Sequence, residues 1–272
     1  MPFVYVNGQM LPLSQPALPV QNQGFKFGDG LFETMRLIRG RLPLEQLHCE
    51  RLWAGMQKLH LLLPSLRNWQ DWLQQIAALA NANNCLEHGR VRLTIFRDES
   101  SYGYTLEATP LQPSYQQWNI AGERLVIFPE GRKAMDAFSN IKSTSYQLYA
   151  MTALFAHNNN ADDAIVLNTE GNICDTSRAN LFIVKDGNVF TPALSQGCVA
   201  GVMRRWIIDC LIKTGYSVTE TTLTEADLLQ ADEIFLTNAL YGIRWVSCFG
   251  DKHYTSHFSH KFYEQWLPTI FS

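Results

Sequence analysis

Lys142 stands in Asn140-Ile141-Lys142-Ser143, between a stretch that reads as a strand and one that reads as a helix. A lysine sheltered among apolar groups has its ammonium form disfavoured and becomes nucleophilic enough to form a Schiff base. The same lysine on a surface loop would be inert, and these four residues alone leave both readings open. A second segment is Phe27-Gly28-Asp29-Gly30-Leu31-Phe32-Glu33-Thr34, where the two glycines allow a tight turn that brings backbone close to a ligand. In His48-Cys49-Glu50-Arg51-Leu52 that follows, His48 and Arg51 share a face if the segment is helical. A plain turn and a solvated helix face would look the same. A third segment runs from Asp163 to Met203 and on through Arg204-Arg205. Gly201 opens a helix there, and free N–H groups at a helix N-terminus make a seat for a phosphate. Asp175 falls between two short strands, in what reads as a turn that could hold its carboxylate fixed.

These groups need elements to carry them. Val4-Tyr5-Val6 and Gln9-Met10-Leu11 flank Asn7-Gly8, which signals a two-residue hairpin. From Leu44 to Leu59 apolar residues recur at steps of three and four, so a helix carries His48 and Arg51. Trp69–Ala82 makes a second helix, and Arg90–Phe96 alternates polar and apolar residues like a strand with one buried face. Thr109–Glu123, with Pro110 and Pro113, reads as a linker. Beyond it come a strand Arg124–Phe128, a helix near Thr144–Asn158 and a strand Ala164–Asn168. A hairpin Asn180–Pro192 turns at Asp186-Gly187, a helix starts near Gly201, and a strand lies near Ile234–Thr237. Thr224-Glu225-Ala226-Asp227 resembles a capping box. Strands and helices interleave in both halves, so the class is mixed α/β or α+β. The expected domains are 1–115, smaller, and 124–272, larger, joined by a linker at 116–123.

Composition narrows the function. The chain has 272 residues, 46% of them apolar and 17% charged, as in ordinary soluble globular proteins. A net charge of −3 offers nothing to a polyanion, so nucleic-acid binding is not expected. The six cysteines are scattered, with no Cys-x-x-Cys pair, and read as reduced thiols of a cytoplasmic protein. The N-terminus lacks the pattern of a signal peptide. The apolar run at Leu61–Leu63 is far too short to span a bilayer. His253, His257 and His260 have metal-like spacing but no acidic or thiolate companion, so they read as a solvated face and no metal is expected. Asp162-Asp163 reads as the cap or solvated edge of a turn, and His157 with Asn158-Asn159-Asn160 as a helix end.

Taken in order, the motifs resemble those of the class IV aminotransferases, the fold-type IV enzymes of pyridoxal 5′-phosphate (PLP). They are Gly-Asp-Gly-x-Phe-Glu-Thr, His-x-x-Arg-Leu, Ile-Lys-Ser, Asp-x-Ser-x-Ala-Asn-Leu-Phe, Thr-Pro and Gly-Val-Met-Arg, and they span about Val6 to Val246. The resemblance implies a two-domain homodimer with PLP in the interdomain cleft. It implies that Lys142 is the catalytic Schiff-base lysine and proton shuttle, and that Arg51 binds the cofactor phosphate, which suits a fork of N–H donors. The N–H groups of Val202 and Met203 match the helix start that cradles that phosphate, and Asn238 and Ala239 match a loop closing the cup. Asp175, Ser177 and Asn180 belong to the same cofactor-binding set. Asp175 stands where the family usually has a glutamate paired with the pyridine nitrogen, a role that makes the cofactor a better electron sink.

Within the family, Gly201-Val202-Met203-Arg204 and Thr237-Asn238-Ala239-Leu240, preceded by Leu229-Gln230-Ala231-Asp232-Glu233, look like the 4-amino-4-deoxychorismate lyases. These eliminate pyruvate and leave 4-aminobenzoate for folate synthesis. The other enzyme reading is transamination of a branched-chain or D-amino acid, and a third is a PLP-binding protein without catalysis. Transamination needs a clamp for the substrate carboxylate, for which Arg92, Arg97 and Arg178 are candidates. Phe32 is a further candidate for contact with the amino substrate, and Ser101-Tyr102-Gly103-Tyr104 for lining the pocket. That stretch departs from the Arg-Gly-Tyr that lyases often carry.

Overall fold

A computed structural model describes residues 2–15, 18–62, 66–98 and 102–271. The chain divides into two compact units. The first comprises Met1–Pro113, Ile141–Tyr146 and Ile270–Ser272; the second comprises Ser114–Asn140 and Gln147–Thr269.

In the first unit the elements are β1 (Phe3–Val6), β2 (Gln9–Pro12), α1 (Gln23–Phe27), β3 (Gly30–Ile38), α2 (Glu45–Lys58), α3 (Leu66–Ala82), β4 (His88–Arg97) and β5 (Tyr102–Pro110). The strands form one antiparallel sheet in the order β2-β1-β5-β4-β3. Asn7 and Gly8 both adopt positive φ, 47° and 85°, which is the backbone a tight hairpin demands and which these two residues tolerate best. On β4 the alternation is as expected: Val91, Leu93 and Ile95 are fully buried, with Arg90, Arg92 and Thr94 on the other face. Leu52 and Met56 of α2 and Trp72, Ile76 and Leu79 of α3 complete this core.

Lys142 reaches the first unit through a strand-like pairing. Ser143 bridges Leu31, the Phe32 N–H donates to the Lys142 carbonyl, and the Thr144 N–H donates to the Gly30 carbonyl. The segment therefore covers the edge of the sheet that β3 would otherwise expose. This pairing also delays the next helix, which starts at Gln147 instead of near Thr144. Thr144 is held instead by its hydroxyl, which donates to the Gly28 carbonyl at 2.7 Å.

The second unit holds β6 (Glu123–Ile127), α4 (Gln147–Asn158), β7 (Asp163–Leu167), β8 (Ile173–Thr176), β9 (Asn180–Lys185), β10 (Asn188–Pro192), α5 (Val202–Lys213), β11 (Val218–Thr221), α6 (Glu225–Gln230), β12 (Glu233–Asn238), β13 (Gly242–Phe249), β14 (Lys252–His253) and α7 (His257–Trp266), with α8 (Pro268–Phe271) ending the described chain. Its sheet runs β11-β10-β9-β12-β13-β6-β7-β8, with β14 paired to β13. The mixed α/β class is as expected. The apolar runs of β9 and β12 are buried on both faces, and Phe182 stacks on Phe235 with centroids 4.9 Å apart.

Three local expectations change. The stretch read as a linker is packed: Trp118 lies against His260 and Tyr263, and the Trp245 indole donates to the Asn119 carbonyl at 2.7 Å. Its prolines interrupt a strand, but its aromatics still bury area. His260 accordingly meets an aromatic ring, where a fully solvated face was expected. Asp175 lies within β8, opposite Val166 of β7, where a turn was expected. Finally, Gly28 and Gly30 serve packing. A Cβ on Gly30 would fall 2.3 Å from the Ile95 carbonyl, and Gly28 takes a left-handed φ of 65° to end α1 against Ser145.

Candidate functional site

In the first unit, residues 31, 33, 35 and 37 of β3 face the helices, so Glu33 projects into the core among Leu31, Met35 and Leu37. An isolated carboxylate there would be expensive to bury. The one-turn spacing of His48 and Arg51 on α2 brings both to it. Arg51 Nε donates to Glu33 Oε1 at 2.7 Å, Arg51 Nη2 donates to Oε2, and His48 Nδ1 lies 2.6 Å from Oε2. Burial pushes the Glu33 carboxyl up, but Arg51 and His48 overcome it and hold it at about 2. Burial pushes the His48 imidazole down, reinforced by the charges of Arg51 and Lys142 against the pull of Glu33. The result is a fixed guanidinium beside a carboxylate that stays charged.

Phe32, on the opposite face of β3, receives two cations. Lys142 Nζ lies 4.6 Å from its ring centroid and the Arg92 guanidinium carbon 3.7 Å away. Tyr146 meets the same ring edge-on at 5.5 Å. The expected Schiff-base lysine is thus set among aromatic rings, half-buried, beside two of the residues expected to contact substrate. Arg97 is engaged elsewhere, donating to Asp29 Oδ2 and to the Leu59 carbonyl, each at 2.7 Å. Tyr102 packs at Trp72; Ser101 lies outside the described residues.

In the second unit, Asp175 is buried and its carboxylate is tightly held. Tyr149 hydroxyl and the Val199 N–H donate to Oδ2, and Asn180 Nδ2 donates to Oδ1, all at 2.8 Å. Tyr149 in turn accepts from Lys133 Nζ at 2.5 Å. Asn180 Nδ2 also donates to the Val199 carbonyl at 2.9 Å, which ties the loop before α5 to β9. Across the ladder Asn180 pairs with Thr237, whose buried hydroxyl oxygen has no hydrogen-bond partner among the described residues.

That hydroxyl matters because of α5. Its N-cap is Gly201, which has no side chain to satisfy the first N–H groups, those of Val202 and Met203. Gly201 also allows a close approach, since a Cβ there would fall 1.9 Å from Asn180 Oδ1. Asn180, which pairs with Thr237 and lies against Gly201, links the orphaned hydroxyl of β12 to the uncapped start of α5, and donors of these kinds suit an anion with several acceptor oxygens.

The remaining expected residues have structural tasks on show. Asn238 Oδ1 accepts from the N–H groups of Leu240 and Tyr241, shaping the turn that carries Ala239. The Ser177 N–H donates to Asp163 Oδ1 at 3.0 Å. Arg178 donates to the Asp162 carbonyl at 2.6 Å and lies 3.5 Å from Asp163 Oδ2. Asp163 is therefore not a solvated turn residue. It is buried and organises the β8–β9 corner. Glu33, Lys133, Tyr146 and Tyr149 carried no assigned role in the sequence. Glu33 could have been found as a charge at a core position of an apolar strand; nothing local marks the other three.

Comparison with known proteins places this geometry. The amino-transferase class IV family model matches residues 30–248. An aminodeoxychorismate lyase from Vibrio harveyi is 31% identical over 253 residues, covering 89% of this chain and 90% of that protein. A D-alanine aminotransferase from Listeria monocytogenes is 27% identical over 248 residues, covering 86% and 83%. Among solved structures, a putative 4-amino-4-deoxychorismate lyase from Legionella pneumophila matches with a TM-score of 0.83 at 25% identity, covering 95% of this chain and 97% of that one.

Proposed function

The chain belongs to the amino-transferase class IV family, and we propose that it is the lyase that eliminates pyruvate from 4-amino-4-deoxychorismate, leaving 4-aminobenzoate. Members of the family are PLP-dependent enzymes, and PLP is the cofactor. The likeness to the Vibrio harveyi lyase, over nine-tenths of that protein's length, carries the choice of reaction.

The residues present fit PLP. The uncapped start of α5 and the orphaned Thr237 hydroxyl supply donors for a phosphate, with Val202 and Met203 giving their N–H groups. In the first unit Arg51, held by Glu33, would be a charged donor for a phosphate, and in the second unit the turn at Asn238 and Ala239 directly follows Thr237. Ser177 and Asn180 hold the strand corner that carries Asp175, a carboxylate that would pair with the cofactor's ring nitrogen. When bound, PLP acts as an electron sink for the bond broken at the substrate carbon.

Lys142 Nζ would be the amine that holds the cofactor, to be displaced by the substrate amine. Once free, the same amine would be the base for the proton on the carbon bearing the substrate amine. The C–O bond to the enolpyruvyl group would break, the enolpyruvate leaving and taking up a proton to give pyruvate while the ring becomes aromatic, so the protein's task is mainly to position Lys142 and the ring. Phe32 and Arg92 line the approach to Lys142, with Arg92 the remaining candidate for a substrate carboxylate. Six free cysteines, five of them buried, support a reducing cytoplasm. Val20, Phe25 and Phe27, all more than two-thirds exposed, support a homodimer that covers them. The product would feed folate synthesis.

The second reading, transamination, is favoured by the Listeria monocytogenes relative. A spectrum of the purified, PLP-loaded protein separates the two. A near-visible band lost on borohydride reduction but unmoved by a panel of L- and D-amino acids, with 4-aminobenzoate formed from the chorismate amine, supports the lyase. Bleaching by one amino acid and recovery with a 2-oxo acid would make it a transaminase. A protein that never takes up PLP would refute both.

A further inference from the structure

The Asp175 carboxylate is buried, and Tyr149, Val199 and Asn180, which donate to it, are neutral groups. These donors favour the ionised form, against the cost of burying a carboxylate. A positive charge joins this set at second hand. Lys133 Nζ donates to the Tyr149 oxygen at 2.5 Å and lies 4.5 Å from the centre of its ring. Tyr149 then spends its own proton on Asp175 Oδ2 at 2.8 Å. The directions are consistent along the chain: ammonium to phenol, phenol to carboxylate. An ammonium on the phenol oxygen polarises its O–H and strengthens the bond it donates.

The partners sit on separate elements that are each anchored. Lys133 is fixed by its own backbone, its N–H donating to the Leu167 carbonyl and its carbonyl accepting from Thr169. Tyr149 is buried in the first turn of α4, and Asp175 is in β8. Nothing here depends on a surface side chain finding its partner by chance. The bulk of the pairing therefore serves Asp175, not the surface.

We propose that Lys133 and Tyr149 are positioning residues that keep Asp175 ionised and fix its orientation, so that it can hold a proton on the PLP ring nitrogen. The inference rests on the reading of Asp175 given above. Lys133 and Tyr149 need touch neither cofactor nor substrate; they act through the carboxylate.

The test is the protonation of the ring nitrogen in PLP-loaded protein, read by nitrogen-15 NMR of labelled PLP across a pH series. The wild type should show a protonated ring nitrogen at neutral pH, and Asp175→Asn should lose it. Tyr149→Phe and Lys133→Met should still trap PLP on Lys142 with borohydride, yet bind the ring proton at least about tenfold more weakly. Lys133→Arg should restore it, because a guanidinium can donate to the same oxygen. The double variant should be no worse than Tyr149→Phe alone. If Lys133→Met fails to fold, Lys133→Gln keeps a neutral donor and carries the same expectation. Variants that trap PLP with an unchanged ring proton would show the pair to be structural only and overturn the inference. Asp175→Asn keeping its ring proton would overturn it while leaving PLP on Lys142 intact. Failure of the wild type to take up PLP at all would instead remove the functional reading beneath it.

Discussion

Replacing Glu33 with glutamine tests whether the first half of the site is a charge-organised unit. The carboxyl is completely buried and held at about 2, against an ordinary value of 4.5. A tenfold change in proton affinity is worth roughly 1.4 kcal/mol, so after the cost of burial is offset the ionised form is still favoured by about 3 kcal/mol. Glutamine keeps the shape but sets an NH2 against donors of Arg51 or His48, and it removes the buried carboxylate that faces the half-buried guanidinium. Breaking a buried pair in this way typically costs ~3–5 kcal/mol. Glu33→Gln should therefore lower stability by about 3 kcal/mol in urea unfolding of the PLP-free chain, followed by far-UV circular dichroism. The double variant with Arg51→Met should lose much less than the two single losses together, since both remove one interaction. The pH dependence has a definite sign. A carboxyl with a lowered folded pKa contributes stability above its unfolded value, and that contribution disappears as pH falls from 4.5 to about 2. His48, pushed below 6.5 by burial, acts in the same direction from a higher pH. A loss under about 1 kcal/mol, additive with Arg51→Met and without this acid window, would refute the account.

Other outcomes follow from the same geometry. Lys142→Ala should fold, take up no borohydride-fixed cofactor and show no turnover; mass spectrometry of the reduced protein checks the first point, and retained turnover would remove Lys142 from its role. Gly201→Ala should push Asn180 off Asp175, since the new Cβ would meet Asn180 Oδ1 at 1.9 Å. It should cost ~1–3 kcal/mol in stability and weaken PLP binding about tenfold or more in a fluorescence titration. In native protein a thiol reagent should label Cys248 first, because it is only half-buried. Burial, with help from Glu45, pushes the Cys49 thiol to about 11, and burial with Asp175 pushes Cys198 to about 12. Those two should react only after unfolding, and Cys248→Ser should abolish the fast phase.

Much of the local structure was legible because it depends on residues near each other in sequence. Asn7-Gly8 could only be a tight turn of positive φ, Thr224 and Asp227 close a reciprocal capping box, and the repeat from Leu44 to Leu59 fixes one helical face. The ordered motifs likewise pointed to the family, since each is a short string. What the string does not contain is register between distant segments. The Ile141–Tyr146 segment reads as the run-up to a helix, yet a bridge at Ser143 pairs it with the edge of β3, and that depends on an open ladder some 110 residues earlier. Glu33 reads as a polar break in an apolar strand until Arg51, 18 residues on, arrives on the face above it. Lys133, Tyr149 and Asp175 carry no common pattern, being 16 and then 26 residues apart on three elements. Sequence determines which faces are apolar and where the chain can turn. Only packing decides which buried charges meet, because a buried charge is tolerable only where the fold supplies its partner.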